Sequence, residues 1–216
     1  MPWTLDNTDN PACLCEEMLA YGVATLCGQD SSLAEIVRTC GPPPLWAREA
    51  GFATLIRIIL EQQVSLVSAR AAFQRLLAAV DPLTPDNFLH LDDSTLKAIG
   101  FSRQKTGYGR NLSRAIVEGS LDIASLGRLD DESVRSELTR IKGIGRWTAD
   151  IFLLMALRRP DIWPQGDLAL AVAIQHLKKF EARPTLREIN DLSEFWKPWR
   201  AVAARLLWHY YLCRIA

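Results

Sequence analysis

Apolar residues recur along this chain at three- and four-residue intervals, and no run alternates apolar and polar between turn signals as a strand would. The pattern predicts helices nearly throughout. Two short ones, about 12–26 and 31–39, precede Gly41-Pro42-Pro43-Pro44, where prolines cannot continue a helix. Apolar helices over 52–61 and 64–80 follow, with the polar run Glu61-Gln62-Gln63 between them. After a loop at 82–86 come short helices near 87–91 and 94–99, with Gly100 as a C-cap, then a longer one from Ser102 to about Glu118. Helices over 130–140 and 146–158 flank a glycine turn. The segment 168–174 is apolar on every side, which predicts a buried helix. Thr185 and Glu188 have the spacing of a capping box opening a helix at 186–191, and the last helix covers 199–212. The fold class is all-α.

Composition adds bounds. With 216 residues, 49% hydrophobic and 23% charged, the chain suits a globular protein with a sizeable core. Its net charge is zero, so attraction to a polyanion has to come from local clustering. Between Lys97 and Trp147 ten basic residues stand against six acidic ones, although solvated helix faces also carry such a bias. No apolar run approaches the roughly 20 residues of a membrane span. The N-terminal stretch bears Asp6, Asp9, Glu16 and Glu17 rather than a basic leader, so a cytoplasmic location is expected. The five cysteines are an odd number. Reduced, buried thiols are expected of them, since the gaps after Cys13-Leu14-Cys15 fit a zinc site poorly.

Chemistry concentrates in Ile141-Lys142-Gly143-Ile144-Gly145-Arg146-Trp147-Thr148-Ala149-Asp150. Gly143 and Gly145 permit positive φ and close approach of the backbone to an outside group. The first amides of the following helix face outward as donors, and such a helix start seats a phosphate. Lys142 and Arg146 add positive charge suited to a nucleic-acid backbone. The alternative is a tight helical corner in which the glycines serve packing alone. Twenty-two residues after Gly145, Asp167 stands at the start of the apolar helix, where a carboxylate is a good N-cap and is favoured in its ionised form.

These runs, "IKGIGRWTAD" and "WPQGDLAL", resemble the helix-hairpin-helix DNA glycosylases of the 3-methyladenine DNA glycosylase II type. The segments "ILEQQVSLVSARAA", "IGFSRQKTGYGRNLSRAI" and "FWKPWRAVAARLLWHYY" occur in the order that family shows, so the resemblance spans about 55–212. It implies one glycosylase unit over 1–216, in the compact form without an N-terminal β domain. Two closely packed helical lobes would enclose a central cleft, one from about 60–160 including the hairpin 137–150, the other from 1–59 with 161–216.

The resemblance also implies roles. Asp167 would be the catalytic carboxylate, stabilising positive charge on the deoxyribose and orienting or deprotonating water. Gln63 would be the wedge that fills the space of an extruded nucleotide, the alternative being an exposed polar loop. Gly143, Gly145, Arg146, Trp147 and Lys105 would contact DNA. Trp147 and Trp208 would line the base pocket, since electron-rich rings suit a cationic base, with core packing as the alternative. Bifunctional relatives carry a lysine where Trp147 stands, so no strand cleavage is expected. Ile151 and Leu168 replace tyrosines near the cleft, which leaves deaminated or etheno bases open as substrates, as does a non-catalytic damage-binding role. The main-chain carbonyls of Thr139, Ile141 and Ile144 would hold a Na+ or K+ ion. No other cofactor is expected, and with only Cys213 near the C-terminus neither is an iron–sulfur cluster. The partner would be double-stranded DNA with alkylated bases, the protein a monomer, and no membrane is involved. His90, His176 and His209 read as structural.

Overall fold

A computed structural model of the chain describes residues 13–215, and among these the regular elements are all helical. Asp6, Asp9 and the first residue of the first expected helix, Ala12, lie outside the described residues. The described chain divides into two compact units, 48–157 and 13–47 with 158–215. The boundary falls at 47/48 rather than near 59/60, so the helix expected over 52–61 belongs to the unit with the glycine hairpin.

In the 48–157 unit the organising element is α3 (Phe52–Glu61), which packs on α4 (Leu66–Ala79), α7 (Arg103–Val117) and α9 (Arg146–Met155). Leu55, Ile56, Ile58 and Ile59 of α3 are fully buried, so apolar burial holds this helix among its neighbours. Around it run α5 (Pro85–His90), α6 (Asp93–Ile99), a 3-10 turn (Leu126–Arg128) and α8 (Asp131–Thr139). Helix starts are set by side chains. Ser65, Thr84, Asp92, Ser102 and Asp130 each accept a bond from an amide of the first turn. Gly100 ends α6 in the left-handed region, as its sequence position predicts.

The other unit holds α1 (Glu16–Gln29), α2 (Ser31–Cys40), α10 (Leu168–Lys178), α11 (Leu186–Glu194) and α12 (Arg200–Arg214). α12 packs against α10, α2 and α1, and its buried Ala201, Ala203 and Ala204 allow close approach. Arg205 is fully buried within α12. Its guanidinium donates to the Leu45 carbonyl at 2.8 Å and the Ala201 carbonyl at 3.0 Å, and burial pulls its pKa down to about 10. Asp30 caps α2 at the Ser32 amide, pairs with Lys178 at 2.9 Å and accepts from the Trp196 indole. Burial alone would raise its pKa, but the Lys178 and Ser32 hydrogen bonds outweigh that and hold it low. The expected capping box is present at Thr185 and Glu188.

Two expectations are corrected. The cysteines are neither all reduced nor all buried: Cys40 and Cys213 form a disulfide linking α2 to α12, Cys13 is exposed, and Cys15 and Cys27 are half-buried. Sequence separation of 173 residues hides a pairing that only tertiary packing creates. Nor is the start of α10 sealed in the core: Leu168 is 61% exposed, while Leu170, Ala171, Ala173 and Ile174 are buried. A side chain at the first helical position leans toward the N-terminus, where there is no preceding turn for it to pack on.

Candidate nucleic-acid and catalytic site

The hairpin turn joins α8 to α9. Gly143 has φ +109°, and a Cβ there would overlap the Tyr108 ring, so conformation and packing both demand glycine. Three further bonds set the turn. Gln62 Nε2 donates to the Gly143 carbonyl at 3.0 Å, Asn111 Nδ2 donates to the Lys142 carbonyl at 3.1 Å, and the Ile144 amide donates to the Ile141 carbonyl at 3.0 Å. Gly145 differs: its φ of −95° suits any residue and a Cβ would meet nothing. What its missing side chain leaves is open space beside the start of α9. As N-cap, Gly145 also supplies no side-chain acceptor to the first turn of α9, which suits an external anion.

Arg146 is the first residue of α9 and about half exposed, its guanidinium 3.9 Å from carboxylate oxygens of Glu132 and Asp150. Asp150 was not singled out from the sequence. It is fully buried, and Arg135 Nε donates to its Oδ1 at 2.7 Å. Burial raises its pKa, against the opposing pull of Arg135. A carboxylate inside the apolar run Thr148–Met155 was the available signal for it. Trp147 is half-buried beside Arg146, and Ile151 is buried on the same helix.

Two other expected DNA contacts lie in this unit. Lys105 donates from Nζ to the Leu60 carbonyl at 2.7 Å, and partial burial lowers its pKa, so one of its three donors is committed to the end of α3. Gln63 is exposed with φ 55° and opens a run, 63–68, whose side chains all face solvent, Val67 at 79%. Of the carbonyls expected to face a cation, that of Ile141 takes the Ile144 amide and retains a second lone pair.

In the other unit Asp167 is the N-cap of α10. Its Oδ1 accepts from the Leu170 amide at 3.0 Å and from Trp208 Nε1 of α12 at 3.2 Å, so the structure brings the expected carboxylate and one expected ring together. Asp167 is half-buried and lines an open concavity of about 200 Å³ with Trp163, Pro164, Leu168, Arg183 and Leu186. A carboxylate held by a helix start and an indole N–H, yet open to solvent, can face a developing cation and polarise water. The histidines are each bonded within their units: His90 to the Asp86 carbonyl, His176 to the Tyr210 hydroxyl, His209 to the Cys40 carbonyl.

Known proteins share this arrangement of elements. The chain is 30% identical over 190 residues to DNA-3-methyladenine glycosylase 1 of Schizosaccharomyces pombe, covering 85% of this chain and 83% of that protein. The solved structure of the S. pombe 3-methyladenine DNA glycosylase Mag1 in complex with abasic DNA superposes with a TM-score of 0.78 at 29% identity, over 87% of this chain and 95% of that one. The crystal structure of a DNA-3-methyladenine glycosidase from Bacillus halodurans gives 0.68 at 28% identity, over 87% of each chain. The family described as HhH-GPD superfamily base excision DNA repair protein matches residues 56–199, well over half the chain. On the hairpin, the capped carboxylate and these likenesses together, the chain belongs to the HhH-GPD superfamily of base excision DNA repair proteins.

Proposed function

We propose that the protein is a monofunctional DNA glycosylase that hydrolyses the N-glycosidic bond of alkylated bases, 3-methyladenine and 7-methylguanine, in duplex DNA. The observation that carries this reading is the Asp167 carboxylate, held by the Leu170 amide and the Trp208 indole while lining an open concavity. The names of the relatives support the substrate class.

An alkylated purine is cationic, so when the glycosidic bond breaks, the electron pair neutralises the base and it leaves uncharged. The deoxyribose is left with oxocarbenium character, which the Asp167 carboxylate stabilises electrostatically. Water adds at the sugar carbon, and its proton passes to Asp167 or to solvent. The turn amides and Arg146 grip the phosphate backbone, Gln63 occupies the vacated stack, and Trp147 and Trp208 face the base. Trp147 supplies no nucleophilic amine, so the abasic strand stays intact. The Ile141 carbonyl's spare lone pair is consistent with a monovalent cation held there with those of Thr139 and Ile144; the ion would brace the turn and takes no part in bond cleavage. The protein would act as a monomer inside the cell; no helix among the described residues is long and apolar enough to cross a membrane.

The test is incubation with methylated duplex DNA, followed by analysis of free bases and strand breaks. Release of 3-methyladenine without breaks before alkali is the expected result. A second reading, a glycosylase for deaminated or etheno bases, is favoured by the exposed aliphatic Leu168 that lines the concavity beside Asp167; release from those duplexes alone would establish it.

A further inference from the structure

The side-chain amide of Gln62 joins segments 81 residues apart in sequence. Nε2 donates to the Gly143 carbonyl and to Thr148 Oγ1, each at 3.0 Å, so both of its protons are committed and the amide is fixed in orientation. Gln62 is also the C-cap of α3. The residue after it, Gln63, takes a left-handed φ and leads the exposed run 63–68 outward. Each side of this bridge is braced separately. Lys105 holds the Leu60 carbonyl at the end of α3, and Asn111 holds the Lys142 carbonyl in the turn. Gln62 is thus the side chain by which the turn and the start of the exposed run hold each other in register.

We propose that Gln62 is a positioning residue that couples the grip of the 142–146 turn on DNA to insertion of the Gln63 segment, an inference that rests on the glycosylase reading. A phosphate seated at the turn restrains Gly143, and through the Gly143–Gln62 bond it restrains the backbone from which Gln63 projects. The segment then enters the duplex with its conformation already limited, which removes an ordering cost that nucleotide extrusion would otherwise meet. Without the bridge, turn and segment act independently: the backbone is gripped, but extrusion is not assisted.

The variant Gln62→Met keeps length and neutrality and removes both protons. Three quantities are compared with wild type: affinity for undamaged duplex, the fluorescence rise of 2-aminopurine in a mispair as it leaves the stack, and single-turnover base release from methylated duplex. The Asn111 and Ile144 bonds still hold the turn, so affinity for undamaged duplex should fall much less than base release, which slows about tenfold, in the range of ordinary coupling between sites. The fluorescence rise should be largely lost. Unchanged fluorescence and release overturn the proposal, as does duplex affinity falling in step with release. Should Gln62→Met not fold, Thr148→Val, which removes one of the two acceptors, should show the same split at smaller size, and its absence is equally decisive. If wild type releases no base from any duplex while the fluorescence split persists, the glycosylase reading fails and the coupling stands.

Discussion

Replacing Asp167 by asparagine separates its structural role from its chemical one. Asparagine keeps an Oδ1 that can take the Leu170 amide and Trp208 Nε1, and Asn and Asp are equivalent N-caps. One part of the loss is the negative charge at the start of α10, whose interaction with the helix dipole is worth about 0.3–1 kcal/mol. For a chain of this size that is a melting shift of at most about 4 °C. The effect on catalysis should be far larger. Removing one preorganised electrostatic group from a reacting centre costs about 3–4 kcal/mol, roughly 10²–10³ in rate. Asp167→Ala should lose base release to the same extent but melt lower than the asparagine variant, since losing the cap costs a further ~1 kcal/mol and takes an acceptor from Trp208. The assay is single-turnover release of 3-methyladenine beside thermal unfolding of all three proteins. Base release by Asp167→Asn within about threefold of wild type would refute the electrostatic role; a damage-binding protein without catalysis predicts no difference at all.

Other outcomes follow from particular contacts. Gly143→Ala should destabilise the protein and weaken duplex binding together, because the new Cβ meets the Tyr108 ring at φ +109°. Gly145→Ala should change stability little, because the entropy alanine removes from the unfolded chain and its poorer fit at an N-cap oppose each other, yet it should weaken duplex binding in a gel-shift assay, since its Cβ occupies only the space open to a phosphate. Asp30 has its pKa held below the ordinary 3.8, so its contribution is present above that value and lost as pH falls through the folded-state pKa. Asp30→Asn should therefore cost about 2 kcal/mol, ~4–8 °C of melting temperature, at neutral pH, and the gap from wild type should close as acid protonates Asp30. Cys40→Ser should lower stability under non-reducing conditions by up to about 5 kcal/mol, from the long loop the bridge closes; wild type in reductant should converge on the variant in calorimetry.

Most of the helices were legible because each carries its own local instructions: Thr185 and Glu188 three apart, Gly100 after an apolar turn, Ser102 and Asp130 ahead of helical runs. The glycine turn and Asp167 were legible for the same reason, since glycine spacing and an N-cap aspartate are properties of a few adjacent residues. Asp150 was missed because only packing decides whether a carboxylate in a helix faces water or an arginine from another helix, here Arg135. Gln62 was passed over in favour of Gln63, since the acceptors that distinguish them lie 81 and 86 residues away.

What the linear chain determined, then, was the helical class, the caps, the hairpin and the carboxylate candidate, all governed by contacts within a turn or two. What only the tertiary structure decided was which groups from distant segments satisfy one another: Trp208 with Asp167, Arg205 with the Leu45 carbonyl, Lys105 with the Leu60 carbonyl, Cys40 with Cys213. Buried polar groups take partners wherever the fold brings them, and that choice carries no signature in sequence spacing.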